Sequence, residues 1–152
     1  MRQSGRILAN ALAKVVGHVK AGVSLRGLDA YAQHYLEEAG GEVAFRGYQG
    51  SRDVPPYPAT LCASVNDEVV HGIGTRDIIL KEGDIVGLDL GVRYPAKKGL
   101  YTDMAVTVGV GKISSASANL IAVTQEALGR AVALVRPGQD LKSISKEIQS
   151  FV

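Results

Sequence analysis

An α+β fold is expected from three features of the sequence. Apolar residues recur at helical spacing toward both ends, β-rich runs fill the middle, and turn chemistry marks the junctions. The first helix is predicted from Arg6 to Val19, where Ile7, Leu8, Ala11, Leu12, Val15, Val16 and Val19 recur with a helical period. The segment KAGVS breaks it, and Ser24 supplies the side-chain oxygen that caps a second helix, with Leu25, Leu28, Ala32, Tyr35 and Leu36 on one face. Gly40-Gly41 closes that helix, and Phe45 to Pro58, rich in Gly, Pro and Tyr, reads as a loop. Two short strands, ATLCASV and EVVHGI, are expected around an Asn66-Asp67 turn. A longer hairpin follows, with strands Ile85 to Val92 and Tyr101 to Val110. The serine-rich stretch Ser114 to Ser117 begins a third helix reaching about Val135, RPG stops it, and Asp140 opens a fourth.

A chain of 152 residues, 46% hydrophobic, is long enough for one domain with a core of its own. With 17 basic and 15 acidic residues and no basic run, the charge pattern gives no support to nucleic-acid binding. No apolar segment approaches membrane-spanning length, and MRQSGRILAN lacks the features of a secretory signal. A single cysteine, Cys62, rules out an internal disulfide framework, so a cytoplasmic location is expected.

The sequence also contains a repeat. VKAGVSLRGL (Val19 to Leu28) matches VRPGQDLKSI (Val135 to Ile144), and upstream Ala11, Leu12 and Val16 match Ala127, Leu128 and Val132 at the same offset. The second copy stops inside its second helix, before any strands, so residues 1–152 are read as one domain cut short.

The unusual feature of the hairpin is an aspartate in each arm. Alternation puts Ile85, Gly87, Asp89 and Gly91 on one face of the first strand, and Tyr101, Asp103, Ala105 and Thr107 together on the second. The bulky aliphatics take the opposite faces. No lysine or arginine is expected within either strand, because Arg93, Lys97 and Lys98 fall in the turn. Two carboxylates sharing a half-buried face repel each other unless one is protonated or a cation lies between them, and a divalent metal is the economical solution. Taken alone, alternation favours the plainer reading, two solvated aspartates on an exposed sheet face or at its rim. His71, placed between Val69-Val70 and Gly72 at an expected strand end, adds a polar ring to the same region.

SVNDEVVHGI, LKEGDIVGLDLGV and YTDMAVTVGVG, in that order, resemble the methionine aminopeptidases of the bacterial type, as do GYQG, YPATLC and LKSISKEIQSFV. The resemblance implies the pita-bread fold shared with proline-specific aminopeptidases and creatinases, here its first pseudo-symmetric half and the opening helices of the second. It implies two divalent ions (Co, Mn, Fe or Zn), with Asp89 chelating one and Asp103 bridging both. His71 corresponds to the family's substrate-side histidine, and Phe45, Tyr48, Tyr57 and Cys62 to the pocket for the N-terminal methionine side chain. His18 and His34 match nothing in that site. The implied activity is removal of N-terminal methionine from nascent chains, with the ribosome as a further expected partner. The turn RYPAKKGLYT is longer than most relatives carry, and the family's other ligands, a histidine and two glutamates, would lie after Val152. A non-catalytic half-fold interaction module and an Xaa-Pro aminopeptidase or creatinase-like relative remain the alternatives.

Overall fold

Leu8, Leu12 and Val15 recur at helical spacing and reach 0–3% exposure, which is why Arg2–Val16 forms helix α1 against the rest of the chain. In the computed structural model, which describes residues 1–152, α1 starts four residues before and ends three residues before the helix expected from periodicity. Gly17 closes α1, and Val19, still apolar and still in phase, packs against the core from the connector and not from the helix. Helix α2 (Leu25–Glu38) begins where expected, with the Ser24 side chain accepting a hydrogen bond from the Gly27 amide. Leu25, Leu28, Ala32 and Leu36 form its buried stripe.

Four antiparallel strands follow: β1 (Glu42–Val43), β2 (Leu61–Val65), β3 (Ile85–Tyr94) and β4 (Leu100–Gly109). The β3–β4 register runs unbroken from Ile85 opposite Gly109 to Tyr94 opposite Leu100. The long turn therefore extends the tip of the ribbon and does not slip it. Val86, Leu88, Leu90 and Val92 are fully buried on the face that meets α1 and α2. Each such side chain contributes about 1.5–3 kcal/mol of burial free energy, so this face anchors the hairpin and fixes which residues point the other way.

Two expectations are corrected. EVVHGI is not a strand: Val69 and Val70 are 89% and 64% exposed, and the segment meets β2 through one isolated bridge, Ile73 to Cys62, and scattered hydrogen bonds from Glu68 and Gly72. Its apolar residues face solvent, so alternation there did not signal a core. Arg93 belongs to β3, not to the turn, because the strand continues to Tyr94. Its guanidinium donates to Glu42 on the neighbouring β1 (2.6 Å), and Glu42 is held below its ordinary carboxylate range, first by that hydrogen bond.

Residues Met1–Ile113 and Ser114–Val152 form two compact units. The second is a helix pair, α3 (Ser115–Ala133, N-capped by Ser114) and α4 (Leu141–Phe151, N-capped by Asp140). Arg130 joins the two helices, pairing with Glu126 and Glu147 and lying 3.9 Å over the Phe151 ring. No helix is long and apolar enough to cross a membrane.

Candidate metal centre

The positions of β2, β3 and β4 that face away from the helices build the site in the first unit. In β3, Asp89 lies opposite Cys62 of β2 on one side and Ala105 of β4 on the other. Asp103 lies opposite Gly91, two positions along from Asp89's partner, so the two aspartates are diagonal neighbours on one face. The expectation from alternation is met: the pair shares a face, and the buried aliphatics occupy the other.

Asp89 is half-buried, and its Oδ1 is shielded from solvent with no hydrogen-bond partner. Its carboxyl is pushed up to about 6, first by burial, then by the charge of Asp103 and a hydrogen bond to it, with His71 acting in the opposite direction. A desolvated carboxylate oxygen without a donor costs about 1–3 kcal/mol, and a second carboxylate beside it adds repulsion. A divalent cation relieves both, and an all-oxygen pair of this kind suits hard and borderline ions, so the residues present fit the metal. The two carboxylates alone do not make a full cage: no group of three or more His, Cys, Asp or Glu side chains is arranged around one point.

Cys62 is 6% exposed, and burial raises its thiol, with the nearby Asp89 and Asp103 adding to the rise and Tyr57 opposing it. It is a protonated, apolar wall and not a thiolate. Tyr57 is half-buried and its hydroxyl lies within hydrogen-bonding distance of two carbonyls, Gly72 O (3.1 Å) and Leu61 O (3.3 Å). Burial pushes its hydroxyl well above the ordinary tyrosine value. Phe45 packs directly on β3 at Gly91, where a Cβ would come within 2.7 Å of its ring. Only glycine permits that approach, and it brings the Phe45 ring to the cross-strand partner of Asp103. Tyr48 is 68% exposed on the loop, where its carbonyl accepts from the Tyr57 amide (2.8 Å). Asp89, Asp103, Cys62, Phe45 and Tyr57 thus gather around one face, while Tyr48 stands at its margin.

His71 is exposed and adopts φ 61°, a left-handed conformation that side-chain-bearing residues rarely take. Outside the site, His18 stacks on Tyr31 (3.9 Å between ring centres) and its Nε2 meets the Tyr35 hydroxyl at 2.8 Å, while His34 is exposed on α2.

Two polar assemblies escape the sequence reading. Asp29, 3% exposed in α2, accepts the amides of Thr60 and Leu61 (both 2.8 Å) and pairs with Arg46 (3.1 Å), tying α2 to the start of β2 and to the loop that carries Phe45. Glu68 and Arg76 form an ion pair around the His71 segment. Neither gives a periodic signal, since Asp29 follows Leu28 on the apolar flank of α2 and Glu68 and Arg76 lie in irregular backbone.

A helix pair laid on one face of an antiparallel hairpin, with neighbouring aspartates on the other face, defines the class: a pita-bread fold of the metal-dependent peptidase type. The family model described as "Metallopeptidase family M24" matches residues 1–152, and the chain belongs to that family, whose members use divalent metal. The chain is 38% identical to "Methionine aminopeptidase 1" of Bacillus subtilis, over 100% of this chain and 57% of that protein. Among solved structures it superposes on a methionine aminopeptidase from Thermotoga maritima with a TM-score of 0.91 at 35% identity, covering 100% of this chain and 57% of that one. Escherichia coli aminopeptidase P shares the fold, with a TM-score of 0.79 at 19% identity, covering 99% of this chain and 31% of that one. The chain spans about half the length of the curated relatives it matches.

Proposed function

We propose that this chain supplies two metal ligands, the substrate-side histidine and the side-chain pocket of a methionine aminopeptidase that trims initiator methionine from nascent proteins in the cytoplasm, at or near the ribosome. The observation that carries this reading is the diagonal Asp89–Asp103 pair with its orphaned, buried oxygen. Asp89 and Asp103 would hold two divalent ions, Co, Mn, Fe or Zn, and the ions when bound supply Lewis acidity at the scissile carbonyl.

The remaining work falls to side chains of this chain. An N–H of the exposed His71 ring donates to the substrate backbone beside the scissile bond and steadies charge that develops there. Phe45, Tyr57 and Cys62 form an apolar wall for the methionine side chain, and Tyr48 closes its outer margin. Tyr57 has its hydroxyl engaged with backbone carbonyls, so it offers a ring face and not an acid. The raised thiol of Cys62 likewise keeps a nucleophile out of the pocket. With only two of the family's ligands in hand, residues 1–152 bind metal weakly by themselves and hydrolyse little.

Titration calorimetry with Mn²⁺ or Co²⁺ on the wild-type chain, Asp89→Asn and Asp103→Asn tests the reading. Weak binding that drops at least about tenfold in either variant is expected, since each substitution removes a charged ligand. Unchanged binding in both variants sinks the assignment. A panel of Met-Ala and Xaa-Pro peptides on a longer form separates the methionine reading from a proline-specific one. The alternative of a non-catalytic interaction module draws on the exposed apolar side chains of the second unit, Leu128, Val132 and Leu141. Tight self-association without metal binding would favour it.

A further inference from the structure

The His71 segment lacks regular secondary structure, yet it is held in a conformation that costs about 1–3 kcal/mol to maintain. Something must over-determine it, and the contacts that do so converge on Arg76. Its Nε donates to Ile73 O (3.0 Å), and its Nη2 donates both to Ala63 O (3.0 Å) and to Glu68 Oε2 (2.7 Å), while Nη1 pairs with Glu68 Oε1. Glu68 Oε2 also accepts the Val65 amide (2.8 Å). One guanidinium–carboxylate fork therefore joins three segments: the end of β2, the residue three before His71, and the residue two after it.

The segment between these anchors is equally constrained. The Gly72 carbonyl accepts from the Ala63 amide (2.7 Å), and the Gly72 amide donates to Ser64 Oγ (3.1 Å). A Cβ at Gly72 would lie 2.3 Å from Ala63 O and 2.9 Å from Arg76 Nη2, so the backbone after His71 is pressed between β2 and the guanidinium. Val69 and Val70 give no help, because both face solvent. The polar fork replaces the apolar anchoring that the rest of the unit uses.

We propose that Glu68 and Arg76 are positioning residues that fix the His71 ring relative to the Asp89–Asp103 face. The proposal rests on His71 being the substrate-side histidine. The bidentate geometry matters more than the charge, because lysine cannot reach three acceptors from one planar fork.

The chain has three histidines, so labelling their ring carbons gives one signal from His71 and two internal controls, His18 and His34. In Glu68→Gln and in Arg76→Met, the His71 signal is expected to shift or broaden while His18 and His34 stay put. Exchange of the Gly72 and Ala63 amides is expected to speed up by about tenfold or more. Arg76→Lys should restore only part of both effects. Should Arg76→Met move all three ring signals through general unfolding, Glu68→Gln, which keeps the side-chain shape, decides. A His71 signal and Gly72 exchange rate matching wild type in Glu68→Gln and in the folded Arg76 variants overturns the proposal. Addition of a Met-Ala peptide forms the separate arm. If it leaves the wild-type His71 signal unmoved, the substrate reading of His71 fails, while the variant spectra still decide whether the fork positions the ring. If it moves that signal, a weaker response in the variants is expected.

Discussion

The two helix pairs carry the same connector and opposite burial. Gly22 (φ 88°) and Gly138 (φ 83°) make the same left-handed turn, Ser24 and Asp140 cap the following helices, and Leu25 and Leu141 are the first residues in them. Yet Leu25 is 0% exposed and Leu141 is 77% exposed; Leu12 is 3% and its counterpart Leu128 is 62%. Local sequence code fixes where a helix begins, and the presence of a sheet face decides whether its apolar stripe is buried. In the first unit Val86, Leu88, Leu90 and Val92 provide that face.

The largest expected contrast comes from truncating equivalent leucines. Leu25→Ala should destabilise the chain by about 2–5 kcal/mol in denaturant unfolding, since it empties a fully buried site. Leu141→Ala should cost less than about 0.5 kcal/mol, as exposed substitutions do. Equal costs would mean that Leu141 is covered in solution. The caps should behave alike in both regions: Ser24→Ala and Asp140→Ala each lose the side-chain acceptor for a helix amide, at about 1 kcal/mol apiece by helix content and melting. A cost confined to Ser24 would break the parallel between the connectors.

Ion pairs give the finest comparison. Arg130–Glu126 is a half-exposed pair one helical turn apart (2.9 Å), and Glu126→Gln should change stability by no more than about 0.5 kcal/mol. Glu68 is held at about 2, first by its hydrogen bond to Arg76 and then by the Val65 amide, well below its ordinary value of 4.5. Its contribution is therefore fully present above pH 4.5 and is lost as pH falls toward 2. Acid unfolding of Glu68→Gln should lack that part of the slope, and an unchanged acid limb would show that the pair contributes nothing beyond the exposed one.

Much of this was legible in the residues themselves. Both late helices open at their expected caps, and alternation put Asp89 and Asp103 on one face because bulky aliphatics locked the opposite face to the core. Where no such face existed, the pattern misled: Val69 and Val70 look like strand and lie in solvent. Val19 kept the helical phase after the helix had ended at Gly17. The Asp29–Arg46 and Glu68–Arg76 assemblies were invisible because their hydrogen bonds join segments that only the tertiary fold brings together. The two neighbouring carboxylates could be named from the hairpin, and the roles proposed for them and for His71 come from the resemblance.

Strand β4 has β3 along one side and no strand along the other, with Leu100, Tyr101 and Met104 partly or largely exposed on it and no proline within it. Apart from the Leu100 carbonyl, which accepts from Ser4 Oγ (3.3 Å), the main-chain groups along that outer edge have no strand partner and make a template onto which another extended segment can add. Light scattering of residues 1–152 should therefore rise with concentration, and a lysine in place of Met104 should keep the preparation clear.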